Sequence, residues 1–433
     1  MEKENLKKSV NFFNALFLVI GTIIGSGIFL KLGIVFKNAG SGIMGLWAWI
    51  IGGVITLCSA LTIAEVGTAI PKTGGLYIYL EELYGKKVGF LLGWVQTIIG
   101  APAIYAALSI AFMTFASFFI PMSGTMLKVF AAIVLILLTC LNIISTRYGG
   151  YIQSISTIGK LLPIIILVFF GIIKGEAQVV MSMKDASFSS GFGTAILGTF
   201  WAYDGWIYVT NMSGELKNPK RDLPRSIILG VLSVIFAYVV FNFAILKILS
   251  FDKIIISKEP AVDAATILFG NQGAVFIILG IMVSVFGTLN GYLMSGARTP
   301  FAMASKGELP FSEILSKVHP KFNTPINALI LQTVISLIYI FSGSFNTLTD
   351  MVVFVLWIFF TLGVFSVFIL RKKYSEKERP YKVPLYPIVP IVGGLGGVYI
   401  LVATIKSNPF NSFIGIAITL SGLVVYYFIN NKN

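Results

Sequence analysis

The feature that most constrains the fold of this chain is the succession of long apolar stretches along its 433 residues. Hydropathy divides the sequence into about twelve of them, each about as long as a helix needs to cross a bilayer. They lie near residues 10–35, 41–70, 88–118, 125–145, 153–174, 191–213, 226–249, 272–303, 325–341, 345–370, 385–405 and 410–429. Only 12% of the residues are charged, whereas soluble globular proteins carry about 25%. The sequence therefore predicts an all-α integral membrane protein.

The basic residues predict an orientation. The net charge is +14, but Lys and Arg are spread over short loops rather than gathered on one face, which argues against nucleic acid as a partner. With the N-terminus inside, roughly two thirds of the 32 Lys and Arg residues fall on the cytoplasmic side. We therefore expect a multi-pass protein of the cell membrane with both termini cytoplasmic. Lys3, Lys7 and Lys8 precede the first stretch, but no small-residue cleavage site closes it, so it is expected to remain as the first span.

Three glycines interrupt the first apolar stretch, which reads Gly21-Thr-Ile-Ile-Gly-Ser-Gly-Ile-Phe. Glycine costs a helix interior about 1 kcal/mol relative to alanine, and irregular backbone at membrane depth survives only where protein buries it or a wet cavity borders it. A helix that restarts at Ser26 would offer free N–H groups at its positive end to a carboxylate. The alternative is close helix packing through Gly21 and Gly25, which form a G-x-x-x-G pair.

The sixth stretch carries the matching irregularity, since transporters are often built from two halves of opposite topology. It places Asp204 and Gly205 in mid-span, after Phe200-Trp-Ala-Tyr. A charged residue there costs several kcal/mol on insertion, so it marks a pathway or binding site by default. The alternative role for Asp204 is to cap the N–H groups of its own restarting helix. Either role requires a broken helix.

Lys160 lies about seven positions into the fifth stretch. It either snorkels to the interface, as basic residues near helix ends commonly do, or points its ammonium at the free carbonyl groups of the broken first helix, where a coupled transporter would hold sodium. The two cysteines, Cys58 and Cys140, fall within predicted spans, and the single histidine, His319, falls in a loop. The sequence therefore predicts neither an exported disulfide nor a metal site, and no cofactor.

The chain resembles the amino acid–polyamine–organocation superfamily, and within it the L-type amino acid transporters, most of all the bacterial serine/threonine exchangers. The likeness runs nearly from end to end. It is carried by an ordered set of motifs: the first-stretch glycine motif, Ala64-Glu-Val-Gly-Thr, Pro71-Lys-Thr-Gly-Gly-Leu-Tyr, Thr157-Ile-Gly-Lys-Leu, Phe200-Trp-Ala-Tyr-Asp-Gly-Trp, Gly214-Glu-Leu-Lys-Asn-Pro and Gly307-Glu-Leu-Pro.

This resemblance implies a single transporter domain over residues 1–433, with a five-plus-five inverted repeat like that of LeuT. The repeats would cover residues 10–175 and 191–371, with broken helices 1 and 6, and residues 385–429 would form helices 11 and 12. In the family, the substrate carboxylate meets the amides of the first break, and its ammonium meets carbonyl groups of both breaks. An aromatic residue gates the outer path, and the lysine of the fifth span contacts the broken first helix.

These roles fall on definite positions of this chain. The carboxylate would bind the Ser26 and Gly27 amides, and the ammonium would bind carbonyls at Ile23, Trp201 and Asp204. Trp201 would gate, Lys160 would couple conformations, and Tyr238 would help line the pocket. The full set of substrate-binding residues implied is Thr22, Ile23, Ile24, Gly25, Ser26, Gly27, Phe200, Trp201, Ala202, Tyr203 and Asp204.

The resulting hypothesis is a sodium-independent exchanger of small neutral L-amino acids such as Ser, Thr, Ala and Cys, working by alternating access. Eukaryotic members bond a heavy chain through a cysteine in the outer loop, but residues 119–128 contain none, so no disulfide-linked partner is expected. The first alternative is a proton-coupled symporter that titrates Lys160. The second is a channel or an intramembrane enzyme, for which ionisable groups within the membrane are few: Lys160, Asp204 and Glu65.

Overall fold

All twelve apolar stretches form helices in the computed structural model, which describes residues 8–144, 146–177, 191–257, 259–407 and 409–430. Lys3 and Lys7 lie outside the described residues. Within the described part of the chain, the β pairing consists of one isolated parallel bridge, between Val10 and Leu216. The prediction of an all-α multi-pass membrane protein is therefore confirmed.

The spans are numbered here in chain order. Their helices are Phe12–Ile23 with Gly27–Leu30 (span 1), Gly42–Ala69 (2), Lys86–Ala116 (3), Gly124–Ile144 (4), Thr146–Lys174 (5), Phe192–Tyr203 with Trp206–Glu215 (6), Pro219–Ile248 (7), Asn271–Gly296 continued by Arg298–Ala304 (8), Ile326–Ser342 (9), Phe345–Lys373 (10), Ile388–Ser407 (11) and Pro409–Asn430 (12).

Ten of these spans are long and apolar enough by themselves to cross a membrane. Span 9 is a shorter apolar helix, and span 6 is divided into two pieces that each fall below a full crossing. The division of the chain into inverted repeats over residues 10–175 and 191–371 stays a prediction.

Burial places span 3 at the centre of the bundle and span 12 at its edge. In the most apolar window of span 3, 83% of the residues are buried, against 22% in span 12. Large apolar side chains such as Ile155, Phe236 and Phe428 are exposed on the outside. Because water gives such side chains no favourable contact, this outer surface suits lipid tails.

Three spans meet around the interrupted part of span 1. The helix Phe12–Ile23 packs against spans 5, 7 and 8, and spans 5 and 8 also pack against each other. The helix Phe192–Tyr203 packs against span 2 and against the short helix Leu32–Ala39 that follows span 1. This arrangement surrounds both irregular segments with protein, as buried backbone polar groups require.

The loops contain helices that hydropathy did not predict. Leu76–Tyr84 lies between spans 2 and 3, whereas Phe251–Ile256 and Pro260–Phe269 lie between spans 7 and 8. Span 3 also contains a π-helical turn, Gln96–Gly100, followed at once by Pro102. Such a turn shifts the helix face that follows it, and here it precedes the residues of span 3 that border the cavity described below.

Candidate binding site between two broken helices

The first span breaks at the predicted glycine motif. Its helix ends at Ile23 and restarts at Gly27, and Ser26 precedes the new helix without capping it by a side-chain hydrogen bond. The first N–H groups of a helix have no partner within it. The Ser26 hydroxyl is also buried and has no hydrogen-bond partner in the structure. The break therefore presents unpaired donors of both backbone and side chain.

The sixth span breaks at Asp204 and Gly205. Asp204 is extended, with φ −67° and ψ 158°, and Gly205 has a φ of +114°, a conformation that L side chains rarely adopt. A Cβ at Gly205 would lie 2.7 Å from the carbonyl carbon of Thr22. The Thr22 hydroxyl donates a hydrogen bond to the Gly205 carbonyl at 3.1 Å. The two breaks are therefore in direct contact.

Lys160 points into the carbonyl end of the first break rather than to the membrane surface. Its ammonium donates to the carbonyls of Gly21 (2.7 Å) and Ile24 (2.6 Å) and to the Thr288 hydroxyl (3.0 Å), and its side chain is completely buried. Ser284 donates a further hydrogen bond to the Ile24 carbonyl at 3.0 Å. The snorkelling alternative is wrong for this structure, since the ammonium satisfies carbonyl groups that the helix break leaves free.

A small, partly open cavity lies between the two breaks, with ≈ 290 Å³ of space not filled by protein atoms, a value that includes space open to solvent. Seven of the predicted site residues line it: Thr22, Ile23, Gly25, Ser26, Gly27, Trp201 and Asp204. The two sequence motifs therefore meet at one concave site.

Other predicted residues lie next to the breaks but do not line the cavity. Tyr238 donates hydrogen bonds to the carbonyls of Ile23 and Ala202, both at 3.0 Å, and so ties the two breaks together instead of lining the pocket. The Tyr203 hydroxyl donates to the Trp49 carbonyl at 3.0 Å, outside the cavity. Phe200 packs its ring on Trp357, and Ile24 contributes the carbonyl that Lys160 binds.

Gly27 is required for helix packing. A Cβ at this position would lie 2.5 Å from the Cα atom of Ala202, in the helix before the second break. Because backbone cannot yield as a flexible side chain does, any larger residue would separate the two helices. The lack of a side chain at Gly27 thus allows the two breaks to lie close together.

Four cavity-lining residues were not predicted from the sequence. Ile104 and Leu108 come from span 3, and Thr288 and Tyr292 come from span 8. The segment Asn290-Gly-Tyr-Leu-Met-Ser-Gly-Ala-Arg of span 8 is rich in small and polar residues, a composition that suits close helix packing. Its Tyr292 hydroxyl donates to Oδ2 of Asp204 at 2.9 Å, so this segment serves the site as well.

Asp204 borders the cavity. Its carboxylate accepts hydrogen bonds from the Tyr292 hydroxyl and from the Gly205 backbone N–H. The helix Trp206–Glu215 begins without a side-chain hydrogen bond at its N-cap, and the role of Asp204 in substrate binding stays a prediction.

Glu65 lies apart from this site. Its buried carboxylate accepts hydrogen bonds from Arg371, from Arg379 and from the Val383 N–H. These contacts attach the loop between spans 10 and 11 to the end of span 2. Two of the three intramembrane ionisable groups, Lys160 and Asp204, are therefore found at the breaks, and the third has a structural role elsewhere.

Hydrogen bonds and a buried ion pair join the start of span 1 to spans 6 and 8. Val10 donates its N–H to the Glu215 carbonyl and accepts from the Lys217 N–H, both at 3.0 Å. The Glu215 carboxylate is bonded to the Arg298 guanidinium by two hydrogen bonds, of 2.8 and 3.0 Å, and both side chains are buried. The start of span 1 and the ends of spans 6 and 8 are thus joined.

Comparison with known proteins identifies the family of this chain. The amino acid permease family model matches residues 10–429. The serine/threonine exchanger SteT of Bacillus subtilis is 45% identical over 98% of each chain. The human cystine/glutamate transporter is 33% identical over 98% of this chain and 86% of its own. The large neutral amino acids transporter small subunit 2 of mouse is 34% identical, over 98% and 81%.

These relatives share nearly the whole length of the chain and are amino acid transporters by name. The resemblance seen in the motifs is thereby confirmed, and an enzymatic function is excluded by the family. The chain belongs to the amino acid permease family of the amino acid–polyamine–organocation superfamily and is an amino acid transporter of the membrane.

Proposed function

We propose that this protein is a sodium-independent exchanger of small neutral L-amino acids that works by alternating access. One observation carries the proposal: two broken helices border one small cavity, which is lined by the start of a helix at Ser26 and Gly27, by the unpartnered Ser26 hydroxyl and by Trp201. Every amino acid carries an α-carboxylate and an α-ammonium. These two charges match the positive and negative helix ends that the breaks provide. The name of the Bacillus relative, a serine/threonine exchanger, agrees in substrate class.

In this proposal the backbone recognises what all substrates share. The α-carboxylate binds the N–H groups of Ser26 and Gly27, and the α-ammonium binds the carbonyls at Ile23, Trp201 and Asp204. Because the Ile23 carbonyl already accepts one hydrogen bond from Tyr238, its second lone pair serves the ammonium. Trp201, at the cavity wall, closes the outer path.

Lys160 supports independence from sodium. Its ammonium lies among the Gly21 and Ile24 carbonyls and the Thr288 hydroxyl, which is an all-oxygen set of the kind that a sodium ion needs. A fixed positive charge there disfavours a second cation. The same contacts favour the alternative of proton coupling only if this ammonium releases its proton during the cycle.

We propose further that both termini are cytoplasmic and that the protein works in the cell membrane without a disulfide-linked heavy chain. The two cysteines of the sequence, Cys58 and Cys140, are free and lie in helices of spans 2 and 4. Neither lies in the loop where eukaryotic relatives would bond a partner. The charge bias of the loops supports the orientation.

Transport by the purified protein in liposomes tests this function. Labelled serine should enter serine-loaded vesicles much faster than empty ones, with no stimulation by a sodium gradient or a proton gradient. Equal uptake into empty vesicles that rises with an inward proton gradient would establish the symporter instead. Conductance without saturable counterflow would indicate a channel.

A further inference from the structure

We propose that the Asp204 carboxylate, oriented by the Tyr292 hydroxyl, accepts a hydrogen bond from the side-chain hydroxyl of the substrate and so selects serine and threonine over alanine. This inference rests on the proposed function and adds the side-chain specificity that backbone recognition of the zwitterion cannot provide. It starts from Tyr292, which lines the cavity and has no role in the substrate recognition described so far.

The pair lies at the cavity and has a fixed geometry. Both side chains border the cavity, and the Tyr292 hydroxyl lies 2.9 Å from Oδ2 of Asp204. The Tyr292 ring packs edge-to-face on Tyr208, with ring centroids 4.6 Å apart. Its backbone carbonyl accepts a hydrogen bond from the Tyr105 hydroxyl at 3.0 Å. Asp204 is therefore held by a residue that is itself held from two sides.

The carboxylate retains the capacity to accept more hydrogen bonds. An ionised carboxylate has about four lone-pair sites and no donor. Tyr292 and the Gly205 N–H occupy two of them. A donor on the substrate is what such a group can still bind, and a hydrogen bond to a charged acceptor is stronger than one between neutral groups.

Asp204 is distinguished from the other polar side chains of the cavity wall by its charge. The Thr22 hydroxyl donates to backbone carbonyls, the shortest contact being 2.7 Å to Leu18. The Thr288 hydroxyl bonds the Gly21 and Ile24 carbonyls, at 2.9 and 3.0 Å, and accepts from Lys160. Ser26 lies at the helix start that is proposed to bind the α-carboxylate. Among the residues that line the cavity, Asp204 carries the only carboxylate, which is a stronger acceptor than these hydroxyls.

The wall of the cavity favours a short hydroxylated side chain over a long cationic one. Ile104, Leu108 and Trp201 form apolar parts of this wall. A lysine or arginine side chain would bring its charge against these apolar groups, which costs desolvation free energy. A hydroxymethyl group avoids that cost, and its single donor matches the carboxylate.

A selectivity measurement tests the inference. Initial rates of exchange of labelled serine, alanine and lysine are measured in proteoliposomes containing the full-length protein, and kcat/KM is compared as a ratio. For the wild type we expect a serine-to-alanine ratio of about 10 to 100, the range of one hydrogen bond to a charged group. Asp204→Leu should lower kcat/KM for serine far more than kcat/KM for alanine and so bring this ratio close to 1, and Asp204→Asn should give an intermediate ratio.

Two tyrosine variants form a matched pair. Tyr292→Phe removes the hydroxyl that orients the carboxylate and should lower the ratio about 3- to 10-fold. Tyr208→Phe removes the neighbouring hydroxyl, which is buried without a hydrogen-bond partner and lies outside the cavity lining, and should leave the ratio unchanged. The amount of each variant incorporated into the liposomes, and its elution as a single species in detergent, report that the protein is folded and inserted.

The outcomes separate the two levels of the proposal. Absence of any exchange by the wild type would reject the proposed function itself. Exchange with no preference for serine over alanine in the wild type would reject this inference alone. Equal losses of serine and alanine in the Asp204 variants would assign the carboxylate to the α-ammonium, and a selective loss of lysine exchange would assign it to a cationic side chain. If Asp204→Leu is not inserted, Asp204→Asn and Tyr292→Phe decide, and an unchanged ratio in both contradicts the inference.

Discussion

At the scale of single residues, the site is marked by polar groups whose partners are unusual or absent. Ser26 has a buried hydroxyl without a partner, and Lys160 has a buried ammonium bonded to neutral oxygens. Buried polar groups in proteins are nearly always paired, and an unpaired hydroxyl at a cavity wall can bond a molecule that enters the cavity. The role of each residue can be tested by substitution.

Ser26→Ala should weaken substrate binding without weakening the fold. A buried hydroxyl that lacks a partner contributes no net stability, so its removal should leave the melting temperature unchanged or slightly raised. If the hydroxyl assists the α-carboxylate, KM for serine should rise about 10-fold. The control is Ser284→Ala, which removes the hydrogen bond to the Ile24 carbonyl and should lower the melting temperature. An unchanged KM in Ser26→Ala would remove this hydroxyl from the site.

Lys160→Ala should impair turnover while the protein stays inserted. The change leaves the Gly21 and Ile24 carbonyls without their charged donor, and each such bond contributes about 1.5–3 kcal/mol. We expect counterflow of serine to fall at least 10-fold, measured in proteoliposomes with matched protein content. Lys174→Ala, at the exposed end of the same helix, is the control and should transport normally. Normal transport by Lys160→Ala would leave the lysine with no functional role.

Outside the spans, Glu308 should make stability depend on pH. Burial raises the pKa of its carboxyl, a shift that nearby Glu81 reinforces and that Lys306, Lys86 and the hydrogen bond from Tyr77 oppose. Because the folded pKa exceeds the unfolded value of about 4.3, the folded protein keeps its proton while the unfolded chain loses it. Stability from this group is therefore full below the unfolded pKa and lost as pH rises through the folded pKa.

Thermal unfolding of the detergent-solubilised protein measures this dependence. Relative to Glu308→Gln, the wild type should lose stability as pH rises from the ordinary glutamate range upward. Glu313→Gln, on the exposed surface of the same loop, should parallel the wild type. Parallel curves for wild type and Glu308→Gln would contradict the assignment.

At the scale of helices and loops, the broken spans are held by contacts at both ends. Tyr238 joins the two breaks at the cavity, and the Glu215–Arg298 pair joins the end of span 6 to span 8. The second contact is a buried ion pair, with side chains of Arg298 and Glu215 that are 4% and 1% exposed.

Removing one partner of this buried pair should destabilise the structure strongly. Glu215→Leu leaves the Arg298 guanidinium buried without a counter-charge, which costs about 3–5 kcal/mol. The double variant with Arg298→Met should recover much of this loss, because a matched apolar pair leaves no charge uncompensated. Denaturation of each variant in detergent measures the differences.

A surface ion pair provides the comparison. Lys72 and Glu82 form an ion pair with a lysine that is mostly exposed. Lys72→Met should therefore change stability by about 1 kcal/mol or less. A Glu215→Leu variant as stable as Lys72→Met would show that the Glu215–Arg298 pair does not hold spans 6 and 8 together.

At the scale of the whole molecule, hydropathy predicted the twelve spans, and the glycines of span 1 and the mid-span Asp204 and Gly205 of span 6 predicted the two breaks. Apolar stretches report span length directly, and glycines or a charge at mid-span are costly in a membrane helix that continues unbroken through them. The loop helices Leu76–Tyr84 and Pro260–Phe269 escaped prediction because they are short and depend on packing rather than on hydropathy.

The sequence predicted the parts of the site that contain glycines or charged residues in mid-span. Span 3 is buried almost all round, so its sequence gives no sign of which face borders the cavity, and Ile104 and Leu108 could not be found from it. Tyr292 lies in a segment rich in small and polar residues, a pattern that close helix packing also produces. The family resemblance placed Tyr203 and Tyr238 near the substrate. In the structure their hydroxyls instead donate hydrogen bonds to backbone carbonyls.

Determination of the structure with bound L-serine tests the central claim most directly. The account predicts serine in the cavity between the two breaks, with its carboxylate oxygens about 3 Å from the N–H nitrogens of Ser26 and Gly27 and its ammonium facing the carbonyls of Ile23, Trp201 and Asp204. Serine bound at another place, or in this cavity with its carboxylate turned away from the restart of span 1, would contradict it.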